Sequence, residues 1–254
     1  MCDPNLLLTA TELAVPRTPA ELACWVEAKL RLIEDCPKAK EPALLHQGLF
    51  KKFYEEIFPL YRFVNHCYSG RSDIRCIPNL DDRDFDARIL DDSISPPFER
   101  KVEITSAIKG HEQHLRMKYF LSQGQVSVWG TLSASGTEKR GHEIHVANDG
   151  FIAHGDLLKR TFSLIRSAVK RKSRKPNQPR KYGQGHILIV AFDDWQWFKT
   201  EQDIEALKDF VTQHILTFPL DFAALYVVGL SGNTFVPFQP PKIQDSLAAH
   251  QPPH

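Results

Sequence analysis

The sequence lacks the patterns that mark several large classes of protein. None of its five cysteines forms a CxxC pair, no apolar stretch approaches the ~20 residues that cross a bilayer, and no basic region followed by an apolar run occurs near its start. It also contains no GxxxxGK[ST], GxGxxG or GxSxG sequence, so a P-loop, a Rossmann phosphate site and a hydrolase nucleophile elbow are not supported. We expect a reduced, cytoplasmic protein with no membrane partner.

The chain also carries almost no net charge. Its 254 residues, 42% of them apolar, are enough to bury a core without covalent staples, and the formal net charge of +1 indicates no polyanionic partner. One local asymmetry exists, because no acidic residue occurs from Leu157 to Phe192. Basic side chains here either contact DNA phosphates or form a solvated surface that complements a helix dipole. The residues predicted to bind nucleic acid are Lys170, Arg171, Lys172, Arg174 and Lys175.

Helical patterns occupy the first part of the chain. The TPAE sequence at 18–21 fits a capping box with proline at the first helical position, and an apolar stripe continues from there to Pro37. A second apolar stripe at 49–64 predicts a longer helix, which we expect Pro59 to kink. Glu55 and Glu56 lie beside this second stripe.

Three strand patterns follow, at 73–78, 85–90 and 101–106, and they predict an antiparallel meander. The second strand carries Asp86 and the third carries Glu103. A carboxylate removed from water needs a partner, so two carboxylates on neighbouring strands favour a site for a hard cation such as magnesium. The alternative is that both side chains face water, as most strand carboxylates do.

The remainder of the chain predicts further helices, a hairpin and a buried parallel pair of strands. The sequences HEQH and HEIH are one residue short of HExxH, so no zincin helix is predicted. We expect a mobile loop at 172–184 and a disordered tail from Pro237. The expected elements are helices at 111–122, 156–170 and 202–216, a hairpin of 125–133 with 142–146 around the loop 134–141, and apolar strands at 187–192 and 223–230.

The order of these elements, with Phe85-Asp86-Ala87 on one acidic strand and Val102-Glu103-Ile104-Thr105 on the next, resembles the PD-(D/E)xK, or restriction-endonuclease-like, superfamily. The resemblance implies an α/β fold in which helices flank a mixed central sheet. It divides the chain into an N-terminal helical segment at 1–48, the α/β core at 49–236 and the tail at 237–254.

The resemblance also implies roles for individual residues. In that family two acids hold Mg²⁺ or Mn²⁺, here Asp86 and Glu103, and some members add an acidic ligand from the preceding helix, here Glu56 or its neighbour Glu55. The family's lysine, which orients or activates the attacking water, is replaced by Thr105. Its substitute is expected among Lys101, on the same strand face, and Lys109 and Lys118, from the following helix.

Two functions remain open from the sequence. The first is a magnesium-dependent endonuclease that hydrolyses the phosphodiester bonds of DNA, with DNA as its partner and a homodimer as a further option. The second is a nuclease-like fold without catalysis, which binds nucleic acid or protein. The replacement by Thr105 favours the second function, because it removes the side chain most closely tied to water activation.

Overall fold

A six-stranded mixed sheet with helices on both faces forms the centre of the protein, in the strand order β1-β2-β3-β6-β7-β8. The structure is a computed structural model that describes residues 3–81, 85–126, 132–137, 141–146, 152–173, 182–183, 185–195, 198 and 200–240. The strands are β1 Ile74–Pro78, β2 Ala87–Asp91, β3 Phe98–Ser106, β4 Leu132–Thr137, β5 Gly141–Val146, β6 His186–Phe192, β7 Ala224–Gly229 and β8 Phe235–Phe238.

Helices precede the sheet and connect its parallel strands. The α-helices are α1 Pro4–Leu7, α2 Ala10–Leu13, α3 Pro19–Glu34, α4 Lys40–Leu44, α5 Leu49–Lys52, α6 Phe58–Tyr68, α7 Gly110–Gln123, α8 His154–Lys172 and α9 Glu201–His214, with a 3-10 turn at Pro37–Ala39 and a π-helical segment at Phe53–Ile57 between α5 and α6. Within the described part of the chain, no helix is long and apolar enough to span a membrane.

The predicted start of α3 is confirmed. The Thr18 hydroxyl accepts a hydrogen bond from the Glu21 backbone N–H at 3.3 Å, and the Glu21 carboxylate accepts one from the Thr18 N–H at 2.8 Å. This reciprocal pair satisfies N–H groups that have no partner inside the helix. α3 then buries Leu22 and Val26 in the same hydrophobic cluster as the strands, so the segment 1–48 packs against the core.

The sheet combines the predicted meander with the predicted crossover. β1, β2 and β3 pair antiparallel, whereas β3, β6 and β7 are parallel and α9 connects the last two. Strand alternation separates two cores. Ile104 and Ile189 pack with α3 and α6, while Leu188 and Val190 face the opposite way and pack with α8 and α9.

Several boundaries differ from the sequence prediction. β8, which was not predicted, extends to Phe238 and therefore includes Pro237, where the tail was expected to begin. β4 reaches Thr137, so most of the loop predicted at 134–141 is strand, and residues 127–131 of the predicted first hairpin strand lie outside the described residues. α8 continues to Lys172, and the remainder of the predicted mobile loop lies largely outside the described residues.

The cysteines also differ in part from the prediction of a fully reduced chain. Cys24, Cys67 and Cys76 are free, but Cys36 is disulfide-bonded.

Candidate functional site

Glu103 sits near the carboxyl end of β3, on the face of the sheet that α8 covers. In the parallel pairing with β6 it lies opposite Leu188, which belongs to the α8 and α9 core. Only 4% of Glu103 is exposed. Since a carboxylate at this depth is costly without a partner, the neighbours of Glu103 decide what the site can do.

Asp86 is held beside β3 by backbone hydrogen bonds at the start of β2. Its N–H donates to the Val102 carbonyl at 2.8 Å, and its carboxylate Oδ2 accepts from the Ile104 N–H at 2.6 Å. Burial, and then the negative charge of Glu103, raise the pKa of the Asp86 carboxyl, against the lowering effect of the Ile104 N–H. The two predicted acids therefore lie close enough to repel each other.

Glu56 approaches these two acids from the π-helical segment. There the Phe58 N–H bonds to the Phe53 carbonyl five residues back, and Pro59, which has no N–H, follows at once. The Glu56 carboxylate pairs with Lys52 Nζ at 3.1 Å. Burial, followed by the charge of Asp86, nevertheless raises its pKa to about 7.

The neighbouring Glu55 has a different partner. One of its carboxylate oxygens lies 3.0 Å from His46 Nδ1. Of the two glutamates that the sequence left as alternatives, Glu56 is the one whose charge is coupled to Asp86.

A lysine that the sequence did not assign to catalysis completes the cluster. Lys172, the last residue of α8, forms a hydrogen-bonded ion pair with the Glu103 carboxylate. The sequence predicts Lys172 in a loop and on a DNA-binding surface, whereas the structure makes it the last residue of α8. A signal was present: Lys172 follows the buried Ile165 by seven residues and the buried Ala168 by four, so helical spacing puts all three on one face.

Glu56, Asp86 and Lys172 line an open cavity of about 530 Å³, and Glu103 is joined to it through its ion pair with Lys172. The cavity lies where β3 ends, α7 begins and α8 finishes, at the carboxyl end of the parallel strands, where sheets of this kind commonly bind ligands. Its lining residues include Lys51, Glu55, Glu56, Asp86, Ile104, Thr105, Ser106, Ile108, Gly110, Arg171 and Lys172.

The other predicted lysines lie elsewhere. Lys101 Nζ sits 5.1 Å from the centre of the Phe85 ring, Lys109 pairs with Glu112 at 3.3 Å, and Lys118 is exposed on α7. None of the three lines the cavity. Thr105 does line it and is 7% exposed.

The structure describes three of the five predicted DNA-binding residues, and each has a different environment. Lys172 turns inward to Glu103, as described above. Arg171 lines the cavity, and its Nη2 donates to the Ser106 carbonyl at 3.1 Å. Lys170 is exposed to solvent, and Arg174 and Lys175 lie outside the described residues.

The carboxylates fit a hard divalent cation held by few protein ligands. In the described part of the chain, no three His, Cys, Asp or Glu side chains converge as a metal-binding group. Mg²⁺, however, usually takes only one or two carboxylates and completes its shell with water and phosphate oxygens. Asp86 and Glu103 supply two, and the pKa of Asp86 is raised first by burial and then by the charge of Glu103.

Comparison of the chain with protein-family models, with curated proteins and with solved structures gave no significant match.

Proposed function

We propose that the protein is a metal-dependent DNA nuclease with a restriction-endonuclease-like core, in which Asp86 and Glu103 hold Mg²⁺ or Mn²⁺. One observation supports this most strongly: Asp86 and Lys172 line one cavity, Lys172 pairs with the buried Glu103, and burial and then the charge of Glu103 raise the pKa of Asp86, all within the two sequences that resemble the family motif and the end of α8. The bound ion supplies charge neutralisation at the scissile phosphate and a water of lowered pKa.

Lys172 takes the place of the motif lysine in this proposal. Its ammonium balances the charge of Glu103 in the ground state and is positioned to donate to an oxygen of the attacked phosphate as negative charge develops there. Thr105 carries no charge, so β3 supplies no cation at the motif position. In this proposal Lys172 of α8 supplies it instead. The substitute for the motif lysine is therefore 69 residues away from Glu103 in sequence.

Glu56 is suited to moving a proton. A carboxyl whose pKa is raised to about 7 changes protonation near neutral pH, which is the property of an efficient general acid or base. Its carboxylate can accept a proton from water at the cavity, while Arg171 at the same cavity offers its guanidinium to a DNA phosphate.

Cleavage of plasmid DNA in Mg²⁺ or Mn²⁺ tests the assignment. Asp86→Asn and Glu103→Gln each keep the side-chain shape, and we expect each to reduce the cleavage rate by roughly a hundredfold or more. Asp91→Asn is the matched control, since Asp91 lies at the other end of β2 and pairs with Arg71 at 2.9 Å. If Asp86→Asn cleaves as fast as Asp91→Asn, the nuclease assignment is wrong.

The second candidate is a nuclease-like module that binds nucleic acid or protein without hydrolysis. It is favoured by the partners that the carboxylates already have: the Ile104 N–H for Asp86, Lys172 for Glu103 and Lys52 for Glu56. Calorimetric titration with Mg²⁺ and Mn²⁺ separates the two candidates. Metal uptake that Glu103→Gln abolishes supports the nuclease, whereas no uptake by the wild-type protein supports the binding module.

A further inference from the structure

A second cavity, of about 220 Å³, adjoins the cavity that Asp86 lines, which we call the carboxylate cavity. The residues that line both cavities are Lys51, Glu55, Ile108 and Gly110. We call the second one the histidine cavity, because His46 and His114 line it together with Leu44, Leu45 and Gln113. A phosphodiester bound in the carboxylate cavity therefore has the histidine cavity directly beside it.

His46 has a backbone conformation that is uncommon for residues other than glycine. It lies in the turn between α4 and α5, and its φ is +48°. A non-glycine residue in this left-handed region persists only where its surroundings hold it, and such residues cluster at functional sites. The turn places the His46 side chain at the histidine cavity.

Two neighbours from the π-helical segment fix the ring of His46. The ring stacks on Tyr54, with 5.2 Å between the ring centroids and 8° between the ring planes. Its Nδ1 lies 3.0 Å from Glu55 Oε1. Because an ionised carboxylate can only accept hydrogen bonds, this contact assigns a proton to Nδ1. Among the described residues Nε2 has no hydrogen-bond partner, so Nε2 is the ring atom that can exchange a proton with a ligand.

The other ionisable groups at the histidine cavity come from three elements. The π-helical segment supplies Glu55, α5 supplies the exposed Lys51, and α7 supplies His114. The pKa of His114 is lowered, first by burial and then by two basic neighbours on α7, so its uncharged form is favoured at neutral pH. A carboxylate beside an imidazole stabilises the imidazolium, whereas an ammonium destabilises it. Glu55 is the group that meets the His46 ring at hydrogen-bond distance.

We propose that His46 is the general acid of phosphodiester hydrolysis, and that its Nε2 gives a proton to the sugar oxygen that leaves phosphorus. The proposal rests on the nuclease function, because it adds a step to that reaction. A water oxygen forms a bond to phosphorus while the bond from phosphorus to the sugar oxygen breaks. One proton of the water passes to the Glu56 carboxylate, and the leaving oxygen receives the Nε2 proton. Solvent then restores both side chains, and Glu55 acts as a positioning residue through Nδ1.

The first test is the rate of plasmid DNA cleavage by His46→Asn as a function of pH. Asparagine tolerates the left-handed conformation, so the turn is kept. We expect cleavage to be slower by about a hundredfold near pH ~6, where an imidazole is protonated. The deficit should shrink by about tenfold near pH ~8.5, because a deprotonated imidazole has no proton to give at Nε2. His214→Asn is the control, since His214 is exposed on α9 and does not line the histidine cavity.

A substrate whose leaving group needs no proton separates a general acid from a structural role. An oligonucleotide with sulfur in place of the bridging oxygen at the cleaved bond releases a thiolate, which is far less basic than an alkoxide. His46→Asn should cleave this substrate within about threefold of the wild-type rate. An equal loss of rate on the sulfur and oxygen substrates overturns the proposal, as does an equal loss at every pH.

A measurement without metal or substrate tests the ring itself. Nitrogen-15 NMR of the wild-type protein should show that neutral His46 carries its proton on Nδ1, because Glu55 accepts a hydrogen bond from that atom. A proton on Nε2 of the neutral ring overturns the proposal. Glu55→Gln should reduce kcat and move the decline of the rate to lower pH, since the carboxylate that stabilises the imidazolium is gone.

Failure of this proposal can be told apart from failure of the nuclease function. If His46→Asn cleaves as fast as His214→Asn while Asp86→Asn loses cleavage, the assignment of His46 fails alone. If Asp86→Asn cleaves as fast as Asp91→Asn while His46→Asn keeps its pH-dependent loss, the metal-dependent assignment fails alone.

Discussion

The carboxylate cavity and a third cavity that Ile108 also lines differ in how the charges of their acidic side chains are compensated. At the carboxylate cavity, Glu56 and Asp86 lie near Glu103, and Lys52 pairs with Glu56 while Lys172 pairs with Glu103. In the third cavity, of about 300 Å³ at the start of α7, the Glu112 carboxylate lies within ion-pair distance of Lys109, Arg116 and Arg160. Both cavities adjoin the same short connection after β3, since Ile108 lines each of them.

The pKa values of Glu56 and Glu112 reflect this difference. The pKa of Glu56 is raised to about 7, because burial and Asp86 disfavour the charged form. The pKa of Glu112 is lowered, because nearby cations favour the charged form more than burial disfavours it. The same side chain thus acquires opposite properties from its neighbours: the Glu56 carboxyl ionises less readily than an ordinary glutamate, and the Glu112 carboxyl ionises more readily.

The largest effect is expected when Lys172, the cation that pairs with Glu103, is removed from the carboxylate cavity. Lys172→Met leaves Glu103 buried without its ion pair, and we expect a loss of roughly 3 kcal/mol in the free energy of unfolding at neutral pH. Urea denaturation measures it, with the exposed neighbour Lys170→Met as the control. Adding Glu103→Gln to Lys172→Met should recover part of the loss; equal losses in the two single lysine variants would contradict the buried pair.

The next effect concerns the pH dependence of the free energy of unfolding, which should differ between Glu56 and Glu112. For Glu56 the folded-state pKa is raised from 4.5 to about 7, so the protein loses stability as the pH rises across this range. Glu56→Gln should therefore gain stability relative to wild type between these two pH values, by on the order of 2 kcal/mol. The measurement is denaturant unfolding at several pH values, and a relative stability that falls as the pH rises would contradict the raised pKa.

Glu112→Gln should show the opposite dependence. A lowered folded-state pKa contributes stability above the usual value of 4.5, and this contribution is lost as the pH falls through the folded-state pKa. We expect the variant to be about 1 kcal/mol less stable than wild type at neutral pH and close to wild type in acid. The same unfolding series checks this, and a constant difference at all pH values would contradict it.

The smallest effect is expected at Lys118, which the sequence offered as a catalytic lysine. Lys118 is exposed on α7, so Lys118→Ala should change the free energy of unfolding by less than about 0.5 kcal/mol. Its effect on DNA cleavage should also be much smaller than that of Lys172→Met. Cleavage rates of the two variants, measured side by side, decide whether Lys172 or Lys118 supplies the cation.

Sequence reasoning succeeded for features that depend on residues close together in the chain. The capping box of α3 and the antiparallel meander follow from local hydrogen bonding and from strand alternation, and both are present. Asp86 and Glu103 were paired correctly because one short loop joins their strands. The apolar runs also predicted the parallel pair β6 and β7, since strands buried on both faces have no polar alternation.

The features that sequence reasoning missed depend on contacts between distant segments. β8 joins the sheet because the edge of β7 accepts it, although the proline-rich sequence around it indicates disorder. The three cations around Glu112 come from two helices, and nothing in the local sequence indicated that α8 would bring Arg160 to α7.

The sequence determined which elements could contribute side chains to a polar site. These are two strands with an acidic residue each, a helix with adjacent glutamates and a helix with a basic end. Only the tertiary structure decided which lysine meets the acids. β6 pairs parallel with β3, so α8 must cross the sheet, and its last turn reaches Glu103. The attraction between two charges a few ångströms apart is strong in a buried environment and outweighs the tendency of a basic side chain to remain in water. Lys172 therefore turns inward, while Lys170 stays in water.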